Sequence, residues 1–230
     1  MLTKSVKSLF ALIYPNLCVC CNSTLTGNEE IICTSCLFEL PKTNFHNDQD
    51  NAMEQIFRGR VAVEYVSAYL YFQKGGKAQQ IIHKFKYSGN KKIGYYLGKV
   101  YGNELSDSEM ISSVDLIIPV PMHPAKIKKR GYNQSEILAK GLSDATDIHL
   151  DTTNLIKTIT TQTQTRKSRF VRWENVETVF TVVNSDAFKN KHVLIVDDVV
   201  TTGATIEACA KLLLAIKGVK VSVLTLAIAS

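Results

Sequence analysis

Residues 193–205, reading Val-Leu-Ile-Val-Asp-Asp-Val-Val-Thr-Thr-Gly-Ala-Thr, constrain this chain more than any other stretch. Val193, Leu194, Ile195 and Val196 form an unbroken apolar run, the pattern of a strand covered on both faces within a parallel sheet. Asp197 and Asp198 then place two adjacent carboxylates at the carboxyl end of that strand, where open α/β sheets bind their ligands. Thr201, Thr202, Gly203, Ala204 and Thr205 make a small, hydroxyl-rich turn, and Ile206, Ala210, Leu213 and Leu214 mark the helix that follows. Such a turn cradles phosphate, because backbone N–H groups point into it and the helix dipole favours an anion. The paired carboxylates suit either two hydroxyls, as on a ribose, or the water shell of Mg2+. Phosphate beside a vicinal diol points to a ribose 5-phosphate. An ordinary strand-turn-helix with one capping Asp has no packing use for the pair. The chain contains no G-x-x-x-x-G-K-[ST] loop, which excludes the Walker alternative.

The rest of the composition sets bounds. A length of 230 residues allows one sizeable core and a small appendage. A net charge of +6 suits anionic ligands such as nucleotides, pyrophosphate or nucleic acid. No apolar run approaches the roughly 20 residues that a spanning helix needs, so no membrane span is expected. Residues 4–14 read as a short amphipathic helix rather than a signal peptide, because the apolar stretch is short and no small-residue cleavage site follows.

Five of the six cysteines lie between Cys18 and Cys36. Cys18, Cys21, Cys33 and Cys36 fit C-x2-C-x11-C-x2-C, which brings four thiolates to one point and suits tetrahedral Zn2+. Two disulfides are the alternative, disfavoured by a reducing cytoplasm, where a chain without a secretion signal is expected. Cys20 is an extra thiol that either replaces Cys21 or stands free beside the site. Cys209 reads as a small buried residue.

Residues 41–60 are polar and read as a linker, with His46 a solvated loop residue. Residues 61–72 alternate loosely, as in one or two strands of a small sheet. Two helices follow, one marked by Ile81, Ile82 and Phe85, the next by Ile93, Leu97, Val100 and Tyr101. Lys84, Lys86, Lys91 and Lys92 cluster at the turn between them, as a solvated face or the wall of an anion site. Residues 115–120 are a second buried strand. A basic run, Lys126, Lys128, Lys129 and Arg130, follows it and would face the same crevice as the acidic pair. Residues 155–158 are a third, short strand, and residues 220–228 a last buried one. The alternation of strands and helices after Asp115 implies a parallel sheet with right-handed crossovers.

The stretch 193–205 resembles the phosphoribosyl pyrophosphate (PRPP) motif of type I phosphoribosyltransferases. Pro119-Val120-Pro121-Met122-His123-Pro124, followed by Arg130-Gly131-Tyr132-Asn133-Gln134, narrows the resemblance to the ComF/GntX family of phosphoribosyltransferase-like proteins, which also carry amino-terminal cysteine knuckles. The resemblance implies an α/β fold of the type I phosphoribosyltransferase kind, a parallel sheet with flanking helices, preceded by a small four-cysteine zinc-binding knuckle. Residues 1–45 would be the amino-terminal helix and knuckle and 46–60 the linker. Residues 61–230 would be the transferase domain, with 61–114 as hood or flank and 115–230 as core. PRPP would bind with Mg2+. Asp197 and Asp198 would take the ribose hydroxyls or the metal shell, and residues 201–205 the 5-phosphate. Val120, Pro121, Met122 and His123, with Lys126 and Arg130, would take pyrophosphate. A loop carrying Gln164, Arg166, Lys167, Arg169, Arg172 and Asn175 would close over it, Arg172 acting on the leaving group. Lys167 and Phe170-Val171 depart from the family's usual Leu and Ala-Glu. The implied activity is transfer of ribose 5-phosphate from PRPP to an acceptor that the sequence does not identify. The rival is a non-catalytic protein of the same fold that senses PRPP or a nucleotide and handles single-stranded DNA with competence proteins.

Overall fold

The computed structural model describes residues 15–48, 50–157 and 179–229. The expected helix over residues 4–14 and the loop residues Gln164, Arg166, Lys167, Arg169, Arg172 and Asn175 lie outside the described residues. In chain order the elements are α1 (Thr34–Phe38), α2 (Ala52–Phe57), β1 (Val66–Phe72), α3 (Lys77–Tyr87), α4 (Lys91–Leu105), α5 (Glu109–Ser112), β2 (Leu116–Pro119), α6 (Pro124–Arg130), α7 (Gln134–Thr146), β3 (Leu155–Lys157), β4 (Phe180–Val182), β5 (His192–Val200), α8 (Ala204–Leu214) and β6 (Lys220–Ala229).

Four strands form one sheet in the order β1-β6-β5-β2, and every pairing is parallel. Leu194 and Val196 of β5 face one apolar cluster, with Phe85 of α3, Leu97 of α4 and Leu138 of α7. Val193 and Ile195 face the other, with Phe57 of α2 and Ile206 and Leu213 of α8. Residues of a strand point alternately to the two faces, so a strand that is apolar at every position must be covered on both. The molecule is therefore a three-layer α/β sandwich with β5 in its interior, and the carboxyl ends of β2 and β5 open together at one edge.

Three expectations change. Residues 66–72 do not form a small separate sheet: β1 pairs with β6 from Val66↔Val223 to Phe72↔Ala229 and is the edge of the main sheet. Its loose alternation reflects that edge position, buried along most of its length with Tyr71 and Phe72 emerging. The short strand β3 is not part of the parallel sheet either; it pairs antiparallel with β4. Lastly, residues 46–60 are not a free linker. Asn51 accepts from the Met53 and Glu54 amides at 3.0 Å and donates to the Val66 carbonyl at 3.0 Å, which caps α2 and ties it to β1. Met53 and Phe57 are fully buried as a result. His46 is half-buried, its ring meeting Tyr101 edge-on at 6.4 Å.

Helices α4 and α7 pack against each other through glycines. A Cβ on Gly141 would lie 2.1 Å from the Tyr95 carbonyl oxygen, and one on Gly98 would lie 2.2 Å from that of Leu138. Both obstacles are backbone, so neither can swing aside. Gly141→Ala should therefore destabilise the protein by about 1–3 kcal/mol despite alanine's better helix propensity. A lowered urea midpoint would register this, and an unchanged or higher one would show that the helices separate freely.

Candidate PRPP-type site at the carboxyl edge of the sheet

The acidic pair sits toward the carboxyl end of β5. The Asp197 carboxylate accepts from the Ser135 hydroxyl at 2.7 Å and from the Asp198 amide at 2.8 Å. Asp198 pairs with the Lys86 ammonium at 2.8 Å. Burial, and then the charge of Asp198 beside it, push the Asp197 carboxyl up to about 7. Asp197 thus keeps its proton to near neutrality even with the Lys86 ammonium on its neighbour.

Ser135 reaches Asp197 because of the Asn133-Gln134-Ser135 corner. Asn133 caps α7, accepting from the Ser135 amide at 3.2 Å and donating to the Val120 carbonyl at 3.0 Å. Asn133 therefore joins the turn after β2 to the start of α7, and Ser135 joins α7 to the acidic pair. Tyr132 donates its hydroxyl to the Phe85 carbonyl, which fastens this corner to α3.

The turn over residues 201–205 leads into α8 through Gly203, whose φ of +73° lies in the left-handed region. A Cβ there would also lie 2.7 Å from the Ile56 side chain and 3.0 Å from the Phe57 ring, so glycine is required twice over. Arg60 braces the turn, donating to the Thr202 carbonyl at 2.7 Å and pairing with Glu207 in the first turn of α8. Asp197, Val199, Val200 and residues 201–206 line a small cavity of about 50 Å3 at that helix start. The amides of a helix start have no partners within the helix, so the cavity is a ready anion seat beside the carboxylates.

Val120 is buried beneath the turn after β2, its amide donating to the Val196 carbonyl at 2.8 Å. His123 caps α6, accepting from the Ala125 amide at 3.1 Å. Lys126 and Arg130 line a larger cavity with Lys86 and Tyr87. Lys157, at the end of β3, is also partly buried, with its ammonium 4.9 Å from the Phe180 ring centroid. Burial and then the charge of Lys126 lower its pKa, while Asp197 acts the other way.

The four sulfurs of Cys18, Cys21, Cys33 and Cys36 all lie within 4.8 Å of one another. The Cys21–Cys33 pair is 3.7 Å apart. Zn–S bonds of about 2.3 Å in a tetrahedron put sulfurs about 3.8 Å apart, so the cluster fits zinc. Amides of Cys20 and Cys33 point at the Cys18 sulfur at 3.4 and 3.3 Å, as around a metal-bound thiolate. Hydrogen bonds from Ser23 pull the Cys21 thiol down to about 6. Cys20 stands outside the cluster, and burial and the neighbouring Cys18 charge push it up to about 12, so it stays a thiol. Cys209 is fully buried in α8.

The structure thus brings Asp197, Asp198 and residues 201–205 together, with Val120 and the start of α6 at the same edge. Sequence reasoning passed over Ser135, Arg60 and Lys157. Ser135 directly follows the Arg-Gly-Tyr-Asn-Gln run, which was its only signal. Arg60 lay within an assumed linker, and Lys157 on a strand with no motif.

The sheet, the acidic pair and the glycine turn define a type I phosphoribosyltransferase fold. A model of the phosphoribosyl transferase domain matches residues 127–229. The chain is 33% identical over 138 residues to Competence protein F of Haemophilus influenzae and 32% over 137 residues to DNA utilization protein YhgH of Escherichia coli. These alignments cover 58% of this chain and 60% of each relative, so the chain spans less than two thirds of their length. Competence protein ComFC of Streptococcus pneumoniae is 27% identical over 210 residues, 90% of this chain and 86% of that protein. Among solved structures, the allosteric regulatory enzyme of purine biosynthesis aligns with 62% of this chain and 30% of its own, at 19% identity and a TM-score of 0.42. The chain is a homologue of competence protein F and ComFC, as its Pro-Val-Pro-Met-His-Pro and Arg-Gly-Tyr-Asn-Gln runs implied. Among the described residues no helix is long and apolar enough to cross a membrane.

Protein purified without added zinc should carry about one Zn2+ per chain by metal analysis. Cys20→Ser should leave that content unchanged and Cys33→Ser should abolish it; a metal-free wild type would refute the zinc cluster. For Asp197, the folded protein keeps the proton to higher pH than the unfolded chain, so its contribution to stability is lost as pH rises through the folded value near 7. Asp197→Asn should therefore raise the Tm of the empty protein clearly at about pH 8 and least at about pH 4. A lower Tm for the variant at about pH 8 would contradict the crowding of the two carboxylates.

Proposed function

We propose that this protein binds PRPP with Mg2+ at the carboxyl edge of its sheet and transfers ribose 5-phosphate to an acceptor, releasing pyrophosphate. The observation that carries this reading is the adjacency of the partly buried acidic pair to the anion seat at the start of α8, with Asp197 belonging to the pair and lining the seat. The 5-phosphate would occupy the turn over residues 201–205, held by the amides of the helix start and the helix dipole. Asp197 and Asp198 would accept from the ribose hydroxyls or from water on the metal. Bound Mg2+ would neutralise charge on the pyrophosphate oxygens. Residues 120–123 face the same edge and suit the pyrophosphate, and the partly buried Lys157 supplies a cation beside it. As pyrophosphate leaves, charge grows on its oxygens, and cations held in place stabilise the transition state more than the ground state. Arg172, outside the described residues, is the proposed contributor from the loop over 164–175. Zinc at Cys18, Cys21, Cys33 and Cys36 would be structural.

A second reading draws on the relatives' printed names, which concern competence and DNA utilization. On that reading the site binds PRPP as a signal and the basic surface handles single-stranded DNA through phosphate contacts.

Calorimetry tests the shared premise. PRPP should bind only with Mg2+, and Asp198→Asn, which keeps shape but removes charge, should weaken binding ten- to a hundredfold, roughly 1.5–3 kcal/mol. Equal affinities would show that the acidic pair does not meet the ligand. A 31P NMR screen of PRPP against bases, amines and DNA then separates the readings. Pyrophosphate released only with a particular acceptor marks the enzyme, and PRPP that stays intact with all of them marks the sensor.

A further inference from the structure

Beside the acidic pair lies a second cavity of about 590 Å3, lined by Lys86, Tyr87, Ser88, Gly89, Lys126, Lys129 and Arg130. It holds four cations and no carboxylate. Cations gather at helix carboxyl ends simply to offset the dipole, and Lys86, Lys129 and Arg130 occupy last turns. Lys126 does not. It sits in the first turn of α6, against the dipole, where a cation is disfavoured without an anion to meet. The cavity is also roomier than phosphate requires and falls in the range of about 300–1,000 Å3 typical of small-molecule sites. Tyr87 is 65% exposed, an unusual setting for a large aromatic at the mouth of a basic cavity. The Arg130 guanidinium stands 5.7 Å from its ring centroid and donates to Gln134 at 3.0 Å, which fixes the guanidinium plane. The His83 ring lies 4.8 Å from the same Tyr87 ring, tilted at 45°. Imidazole, phenol and guanidinium together make an aromatic and cationic wall against which a flat heterocycle can stack, and the lysines around it suit phosphate.

We propose that this cavity is a second ligand site, distinct from the anion seat at residues 201–205, and that it takes a phosphorylated ring compound of the nucleotide class. Lys86 belongs to both sites, since it lines the cavity and pairs with Asp198. An anion in the cavity draws the Lys86 ammonium away from Asp198 and frees that carboxylate for ribose or Mg2+. By linkage, PRPP with Mg2+ then tightens the cavity's hold on its ligand. The coupling rests on the PRPP reading; the cavity's own occupancy does not.

The test is calorimetric titration of the full, zinc-loaded chain with adenosine 5′-monophosphate, ribose 5-phosphate and an oligothymidylate. The monophosphate should bind wild type at least tenfold more tightly than ribose 5-phosphate does. Tyr87→Ala and Lys129→Ala should each weaken it at least tenfold, and Tyr87→Phe should restore it. Saturating PRPP with Mg2+ should strengthen binding of the monophosphate. Failure of Tyr87→Ala and Lys129→Ala to weaken it, or its displacement by PRPP, would overturn the proposal by placing it in the anion seat. So would binding of the oligothymidylate alone, which would make the cavity part of a strand track. A separate PRPP titration on the same variants keeps the two readings apart. If PRPP fails to bind while the monophosphate behaves as stated, the second site stands and the PRPP reading falls.

Discussion

Two neighbouring carboxylates at the end of a buried strand repel each other and lose hydration, and much of the sheet edge is organised around that conflict. The relief comes from separate places in the chain. Ser135 donates from α7, Lys86 pairs from α3, and the Asp198 amide folds back onto Asp197. Even so, Asp197 keeps its proton to near neutrality. Such frustration is costly in an empty protein and useful in one whose ligand brings a divalent cation or hydroxyl donors. Strong repulsion between close carboxylates has no role in holding a sheet together, which points to a function rather than to packing.

The helix α3 links distant parts of the molecule. Lys84 donates to the Val19 carbonyl of the cysteine knuckle at 2.7 Å, and Lys77 approaches the Cys36 sulfur at 3.6 Å. Further along the same helix, Lys86 meets Asp198. The knuckle thus seats the helix that places a cation on the acidic pair. On the opposite face of the sheet, Arg60 and Phe57 do the corresponding work for the glycine turn. The edge is therefore held by packing from both layers and not by its loops alone.

Much of this was legible in the sequence because strong local patterns coincided with the site. The apolar run at 193–196 reads as a two-faced strand from its lack of alternation, and the aspartates and glycine turn follow at once. Cysteine spacing marked the cluster in the same way. Residues 41–60 misled because polar composition suggests solvent. Asn51 is polar yet buried, spending its hydrogen bonds on a helix cap and a strand carbonyl, and no local pattern shows that. Edge strand β1 misled because pairing with β6 joins residues far apart in sequence. Lys86 was legible only as one of a cluster of lysines with two readings, and Ser135 matters only through its contact with β5; contacts of that range leave no local period to read.

The most direct measurement is a crystal structure of the protein with PRPP and Mg2+. Electron density for the 5-phosphate in the turn over residues 201–205, with the ribose hydroxyls or metal-bound water on Asp197 and Asp198 and Lys86 turned away from Asp198, is the predicted result. PRPP bound elsewhere, with the Lys86–Asp198 pair intact and the turn empty, would contradict it.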